Sequence, residues 1–419
     1  MMLVFATLCA ILFEIFSLTK HLEFPIVIYI LWSVGILFLS PPKQTKLYFV
    51  FMIACLFRIG FVWAEPILSD DLYRYMWEGK LLLEGGNPYT HPPSIFDIAD
   101  PYLTKVNHPH ISSVYPPIAM WCFAILSKIS YTTVFFKCIF ALFDLGNVWM
   151  LYQLLPLRLR TYIWIYVLHP LPIIESTHSG HLDVMGIFCV LVALRAHNIQ
   201  KFNLGGFFLI LGGGIKILPF SLLPWFGLGG LFGGGILLIF AGYPMWDLGA
   251  FDGLQTYLTH WSFNGSLYPI FYSIFPSFSR VILLLIWTGA IGYFFYQYQK
   301  RGDEEQYTMP RIVLYIFGIW FLCTPTAHPW YGLWIFPIAI LCGSRFWTLL
   351  CALLPLSYHA LLTIDPLTKN WDPSIWPQII EYLIPCLLLL FPKISLLYFN
   401  PFLSSHLKTS KKYSSLSQI

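Results

Sequence analysis

Apolar runs long enough to cross a lipid bilayer recur along the whole chain. A helix rises about 1.5 Å per residue and satisfies its own backbone, so crossing about 30 Å of hydrocarbon takes about 20 mostly apolar residues. Such runs lie near 1–18, 24–40, 47–64, 114–129, 132–155, 160–175, 182–197, 203–225, 226–247, 278–298, 310–323, 331–344, 346–363 and 376–398. A membrane β-barrel would show short alternating segments instead. The expected fold is therefore all-α, a polytopic transmembrane helical bundle. Of the 419 residues 58% are hydrophobic and 11% are charged, against about a quarter charged in a soluble domain. So few charges do not cover a soluble surface of this size. This excludes a soluble globular enzyme, a disordered protein and a nucleic-acid binder.

The run 1–18 lacks a basic start and a small-residue cleavage site, so it is expected to be a retained first helix rather than a signal peptide. The nine cysteines lie in or at the ends of apolar runs and form no CxxC pair. They read as buried free thiols, with no zinc pattern.

Charge sorts the connections into two sets. Lys43, Lys46, Arg158, Arg160, Arg195, Lys201, Lys300, Arg301, Arg311, Arg345, Lys408, Lys411 and Lys412 form a basic set, which the positive-inside rule places in the cytoplasm. Residues 65–113, 175–183, 247–266, 324–331 and 365–372 form an acidic or His-rich set on the other face. The alternation fails to close between Ser113 and Arg158, and again between Lys201 and Asp247. Both stretches are rich in Gly or Pro, so each is expected to hold one re-entrant or broken helix, leaving about 12 true spans. On this reading residues 1–398 make one transmembrane domain and 399–419 a basic cytoplasmic tail.

The connection 65–113 is far longer than the loops that merely join helices. It is rich in Tyr and Trp, and a helix from Asp70 to about Glu84 is expected, with Leu72, Tyr75, Met76, Leu82 and Leu83 free to sit in the membrane interface. Ser69 is placed to cap it, and Gly85, Gly86, Asn87 and Pro88 end it. Asp70 and Asp71 fall in its first turn, where acids are favoured electrostatically whatever their function. They also lie where the third apolar run meets the outer face, and two adjacent carboxylates raise one another's pKa toward the range of a base.

Four further groups of polar residues belong to the same face. His178, His181 and Asp183 have a spacing that only weakly suggests a metal; contacts to sugar or phosphate, or packing, suit them better. Lys216 is alone in an apolar run, which marks either a functional cation or a side chain that snorkels to the interface. His328, Trp330 and Tyr331 make a proline-flanked rim or an aromatic belt. Tyr257, His260, Trp261 and Asn264 offer rings and an amide of the kind that hold sugars. Seven of the twelve histidines, His91, His108, His110, His178, His181, His260 and His328, lie on this side. Asp144, with Lys137 on the same run, is the main charge in mid-span.

The run Asp70, Asp71, Leu72, Tyr73, Arg74, Tyr75, Met76, Trp77, Glu78 and Gly79, followed by Gly86, Asn87, Pro88, Tyr89, Pro92 and Pro93, resembles the first outer loop of GT-C fold glycosyltransferases. Within them the pattern is most similar to polyprenyl-phosphate-mannose-dependent mannosyltransferases. Tyr115 to Pro117, Gly180 to Asp183, Lys216 to Pro219, Trp261 to Asn264 and His328 to Tyr331 follow in matching order, so the resemblance covers about residues 66–335. Glu78 departs from the Asp more usual there, with the acid kept. The resemblance implies that 65–113 is a catalytic outer loop whose acid is the base. It implies a lipid-phosphate sugar donor, a reaction on the outer face of a bacterial or archaeal plasma membrane, and no metal or other cofactor.

Chemistry agrees with that residue set. A departing phosphate needs no proton, so the acid/base pair of glycoside hydrolysis reduces to one base for the acceptor hydroxyl. Asp71 or Asp70 is the candidate, with Asp71 slightly preferred. The leaving charge must be met by fixed cations and donors, for which Arg74, Lys216 and His328 are candidates. His181, Asp183, Tyr331, Trp261 and Asn264 complete the expected donor phosphate and sugar contacts. Direct displacement would invert the anomeric centre. The partners are then a polyprenyl-phosphate sugar, with mannose favoured by the family pattern, a lipid or glycan acceptor, and membrane lipid. A lipid or sugar transporter or flippase, or a polymerase or ligase of O-antigen type using a diphosphate-linked donor, remains the alternative.

Overall fold

The computed structural model describes residues 1–390 apart from 20, 97–98, 303 and 365–374. The expected basic tail 399–419, the acidic connection 365–372 and the end of the last apolar run lie outside the described residues. Among the described residues the protein is helical with no strand; Phe263 and Asn264 make only isolated bridges to Thr326. Three helical stretches, Thr133–Leu154, Ser279–Arg301 and Arg345–Thr363, are long and apolar enough to cross a membrane by length and composition, and shorter apolar helices accompany them.

The helices that position the site are α1 (Met2–Ser17), α2 (Glu23–Ile36), α3 (Leu47–Ile59), α4 (Asp71–Leu83), α5 (Pro117–Ile129), α6 (Thr133–Leu154), α7 (Ile163–Leu168), α8 (Pro170–Ile173), α9 (Asp183–Asn198), α10 (Phe202–Ile215), α11 (Leu228–Ala241), α12 (Asp252–His260), α13 (Tyr268–Ile274), α14 (Ser279–Arg301), α15 (Met309–Cys323) and α16 (Gly332–Cys342). Many outward-facing side chains are apolar: Phe232, Ile239 and Phe240 on α11, and Val281, Leu284 and Leu285 on α14, are each more than half exposed. Contiguous apolar exteriors of this kind suit lipid rather than water.

The bundle is pinned internally by charge. Arg58 of α3 meets Asp144 of α6 at 2.8 Å with both side chains fully buried, and Tyr166 donates to the other Asp144 oxygen at 2.6 Å. The mid-span acid is thus paired to a neighbouring helix rather than to Lys137, and it ties α3, α6 and α7 together.

The two places where the charge alternation failed to close have definite forms. α5 starts beside the 65–113 connection, where Tyr89 OH donates to the Tyr115 carbonyl. It also finishes there, with Tyr131 OH donating to Asp100 at 3.1 Å. Both of its ends therefore lie at one end of the bundle. In the second place the run 203–225 folds back on itself rather than continuing as one helix. α10 ends at Ile215, the chain reverses at Lys216, and a 3-10 helix, Leu218–Trp225, runs back beside it. Phe226 ends up against Gly205, near the start of α10. Pro219 and Pro224 cannot continue an α-helix through this stretch, and Gly212 and Gly213 leave room for Pro219 and Phe220 to fold back.

α4 forms as expected but sits differently. Leu72, Tyr75 and Met76 are buried in protein rather than in the interface, Tyr75 and Met76 against α5 and Leu72 against Gly180; only Leu83 of the five is well exposed. Tyr75 and Phe123 stack at 4.6 Å. The pair can approach because residue 79 is glycine: a Cβ there would lie 2.4 Å from the Phe123 backbone. The Ser69 hydroxyl accepts the Asp71 N–H at 3.3 Å.

Candidate active site

The start of α4 presents two acids to different surroundings, Asp70 at the N-cap and Asp71 in the first turn. Asp70 is exposed, whereas the Asp71 side chain is 19% exposed. Asn107 Nδ2 donates to Asp70 Oδ1 at 2.7 Å and to Asp71 Oδ1 at 2.8 Å, holding the carboxylates side by side. Burial first, then the adjacent Asp70, push the Asp71 pKa up to about 6, the range of a general base near neutral pH.

Arg74 organises the loop that carries Asn107. It is buried and donates to Asn107 Oδ1 at 2.9 Å, Glu78 Oε1 at 2.9 Å, the His108 carbonyl at 2.9 Å, the Ile111 carbonyl at 3.1 Å and the Asn107 carbonyl. Glu78 also accepts from Ser113 at 2.8 Å. The guanidinium, considered from sequence as a phosphate ligand, thus has its donors engaged by the loop.

His181 reaches Asp71 from the opposite side. A π-helical turn, Ile174–His178, precedes it, and single π turns often mark functional sites. Gly180 follows at φ +79°, in the left-handed region open to glycine, with Leu72 of α4 packed against it. This turn sets His181 Nδ1 3.8 Å from Asp71 Oδ2. His181 stacks on Trp330 at 4.0 Å, Trp330 on His328 at 4.2 Å, and His328 on Phe263 at 5.0 Å. Burial and Lys216 lower the pKa of both imidazoles, that of His328 to about 3 and that of His181 well below its ordinary value. Both rings are therefore neutral near pH 7. His178 points elsewhere, into an apolar pocket with Phe13 at 5.2 Å, so His178, His181 and Asp183 do not converge on one point.

Lys216 stands at the tip of the reversal. Its Nζ donates to Asp183 Oδ1 at 2.7 Å and lies 4.2 Å above the Tyr331 ring. Trp334 also donates to Asp183, at 2.6 Å. The Lys216 side chain keeps 22% exposure. Tyr331 bonds Tyr257 at 3.0 Å, Tyr257 stacks on Trp261 at 5.8 Å, and His108 meets Trp261 edge-on at 4.4 Å.

Asp71, His181, His328, Lys216, Asp183, Tyr331 and Trp261 are thus joined by direct contacts, with Asp70 and Arg74 attached through Asn107. Asn264 is the outlier: its amide turns to Glu381 at 2.9 Å and to the Ala327 carbonyl at 3.3 Å. Sequence reasoning passed over Asn107, the clamp on both acids, and Glu175, which lies behind His181. Nothing in the string of residues marks Asn107, because its role exists only once Arg74 folds the loop over α4. Glu175 stood in the acidic outer set, but nothing distinguished it from a surface acid.

Residues 21–229, close to half of the chain, match a family model described as alpha-(1->6)-mannopyranosyltransferase, N-terminal domain. No curated protein and no solved structure matches the chain.

Proposed function

Because residues 21–229 belong to the alpha-(1->6)-mannopyranosyltransferase family, we propose that this mannosyltransferase is a multi-pass membrane enzyme drawing on a polyprenyl-phosphate mannose. The acceptor is a lipid or glycan hydroxyl on the non-cytoplasmic face. The observation that carries the reading is the setting of Asp71: a partly exposed carboxylate at the tip of α4, facing His181, with the Lys216 ammonium in the same cluster.

In this reaction the acceptor oxygen bonds to the anomeric carbon as the bond from that carbon to phosphate oxygen breaks. The acceptor proton passes to Asp71, and the bonding electrons leave with the phosphate. Lys216 meets the phosphate charge, held in place by Asp183 and by the face of Tyr331. His328, being neutral, offers a hydrogen bond rather than a charge. Arg74 acts as a positioning residue: it fixes the loop that fixes Asn107, and Asn107 fixes Asp71. Trp261 and Tyr257 give the sugar an aromatic wall. Displacement from the face opposite phosphate inverts the anomeric centre, so an α-linked product requires a β-linked donor. The donor's apolar tail has the exposed faces of α11 and α14 to lie against.

The test is a donor panel. Purified protein in lipid vesicles is given radiolabelled mannose as a polyprenyl phosphate, as a polyprenyl diphosphate or as a nucleotide sugar, together with an extracted lipid and glycan fraction. Label should enter the acceptor from the polyprenyl phosphate alone, with inverted configuration. Transfer from the diphosphate would favour the polymerase or ligase alternative. Transport of label without a new glycosidic bond would favour the transporter. Retained configuration would reject direct displacement.

A further inference from the structure

A notch opens between the 65–113 connection and the start of α12, and the chemistry above leaves it unused. Its volume is about 370 Å³, and Thr90, His110, Ser112, Asp252 and Thr256 give it polar groups. Ligand pockets of about 300 Å³ and upward are common. The two walls are fixed to one another. Asn87 Nδ2 donates to Asp247 Oδ2 and to the Pro244 carbonyl, each at 2.7 Å. Gly253 packs so closely on Ser112 that a Cβ there would sit 2.4 Å from the Ser112 carbonyl oxygen. Asp252 and Thr256 are four residues apart on α12 and so share one face of it. Both walls also lead to the site. Ile111 lines the notch and gives its carbonyl to Arg74, and Tyr257, the residue after Thr256, bonds Tyr331.

The polar groups of the notch are open. Ser112 is 9% exposed, yet its hydroxyl has no protein partner among the described residues. The Asp252 carboxylate and the Thr256 hydroxyl have none there either. An acid in the first turn of a helix is favoured electrostatically, which accounts for Asp252 but not for a buried hydroxyl left without a partner. We propose that the notch is an acceptor subsite, holding the neutral sugar unit next to the one whose hydroxyl reacts, with Asp252 as its specificity-determining residue. The inference rests on the mannosyl-transfer reading above and narrows its acceptor to a glycan. Sugar hydroxyls can donate to the Asp252 carboxylate and exchange hydrogen bonds with Ser112 and Thr256. An anionic headgroup suits the notch badly. Among the described residues no lysine or arginine lines it, and the Asp252 charge opposes a phosphate.

The test compares methyl α-mannoside with its α-1,6-linked dimer as acceptors, using the full-length protein in vesicles and polyprenyl-phosphate mannose as donor. The dimer carries the extra unit that fills the notch. Its KM should lie about tenfold below that of the monomer, the scale of one hydrogen bond to a charged group. Asp252→Asn removes the charge and keeps the shape, and Thr256→Val removes the hydroxyl. Each should raise the dimer KM toward that of the monomer, with a smaller change in kcat at saturating acceptor. Binding of the dimer without donor, read by saturation-transfer NMR, should weaken in parallel. A dimer that binds no better than the monomer to the wild type, or that keeps its advantage in both variants, overturns the subsite. So does transfer confined to lipid acceptors that carry no sugar. If the dimer binds and Asp252→Asn weakens it, yet no mannose leaves the polyprenyl phosphate, the subsite stands and the donor reading fails instead.

Discussion

Replacing Asp71 with asparagine should lower kcat for mannosyl transfer by about 10²–10⁴-fold, the range that general-base help contributes, and leave the protein folded. The amide is nearly isosteric, and its oxygen can still accept from Asn107 at the 2.8 Å position of the present Oδ1. What disappears is the site for the acceptor proton. Asp70→Asn should do much less. Asp70 is exposed, and its side chain accepts from the same Asn107 amide; it contributes mainly by raising the pKa of its neighbour. The check is initial rate in vesicles alongside the thermal unfolding midpoint of each variant. Near-normal turnover in both single variants would take the base role away from this pair.

The second large effect is expected at Lys216. Lys216→Met keeps the length of the side chain and removes its charge, so the departing phosphate loses its cation. Removing one preorganised group that stabilises developing charge costs about 10²–10³-fold in kcat, and donor use should weaken with it. The substitution also strands Asp183, which is fully buried and now bonded by Lys216 and Trp334. Lys216→Arg is therefore the control: it keeps a cation beside Asp183 and should fold normally with a smaller loss. Donor KM and kcat both unchanged in Lys216→Met would dismiss the role.

How much of this was legible depends on whether the signal was local. Apolar run length and the sorting of charge marked the helices and gathered the polar chemistry on one side. The structure likewise joins Tyr152 to the Thr45 carbonyl and Trp164 to the Gln44 carbonyl at the end of the bundle away from the site. The start of α4 was legible too, since the acids and the glycine stop are local features, although the cap position falls to Asp70 rather than Ser69. The reversal at Lys216 was not. An apolar run interrupted by glycine and proline has the same hydropathy whether it passes once or folds back, and only its packing against α9 decides. α5 misled for a related reason: Ala119, Met120, Phe123, Ala124 and Leu126 are buried in protein, and burial in protein and burial in lipid ask for the same side chains. Arg74 looked like a phosphate ligand because its type suits one, and nothing in its neighbours announced that the 107–111 backbone would occupy it. The stack of His181, Trp330, His328 and Phe263 joins three distant segments, so no spacing within the chain could reveal it.

The central claim is that one carboxylate on the first long connection takes the acceptor proton. The pH dependence of single-turnover transfer, with donor and acceptor saturating, tests it most directly. Asp71 works only when ionised. Its pKa is raised to about 6 by burial and by Asp70, against the opposing pull of Asn107, Lys216 and Arg74. The wild-type rate should therefore be level above neutral pH and fall as pH drops through about 6, and the small residual rate of Asp71→Asn should lack that limb. A wild-type rate that stays flat down to pH 5, or the same acid limb in Asp71→Asn, would contradict the account.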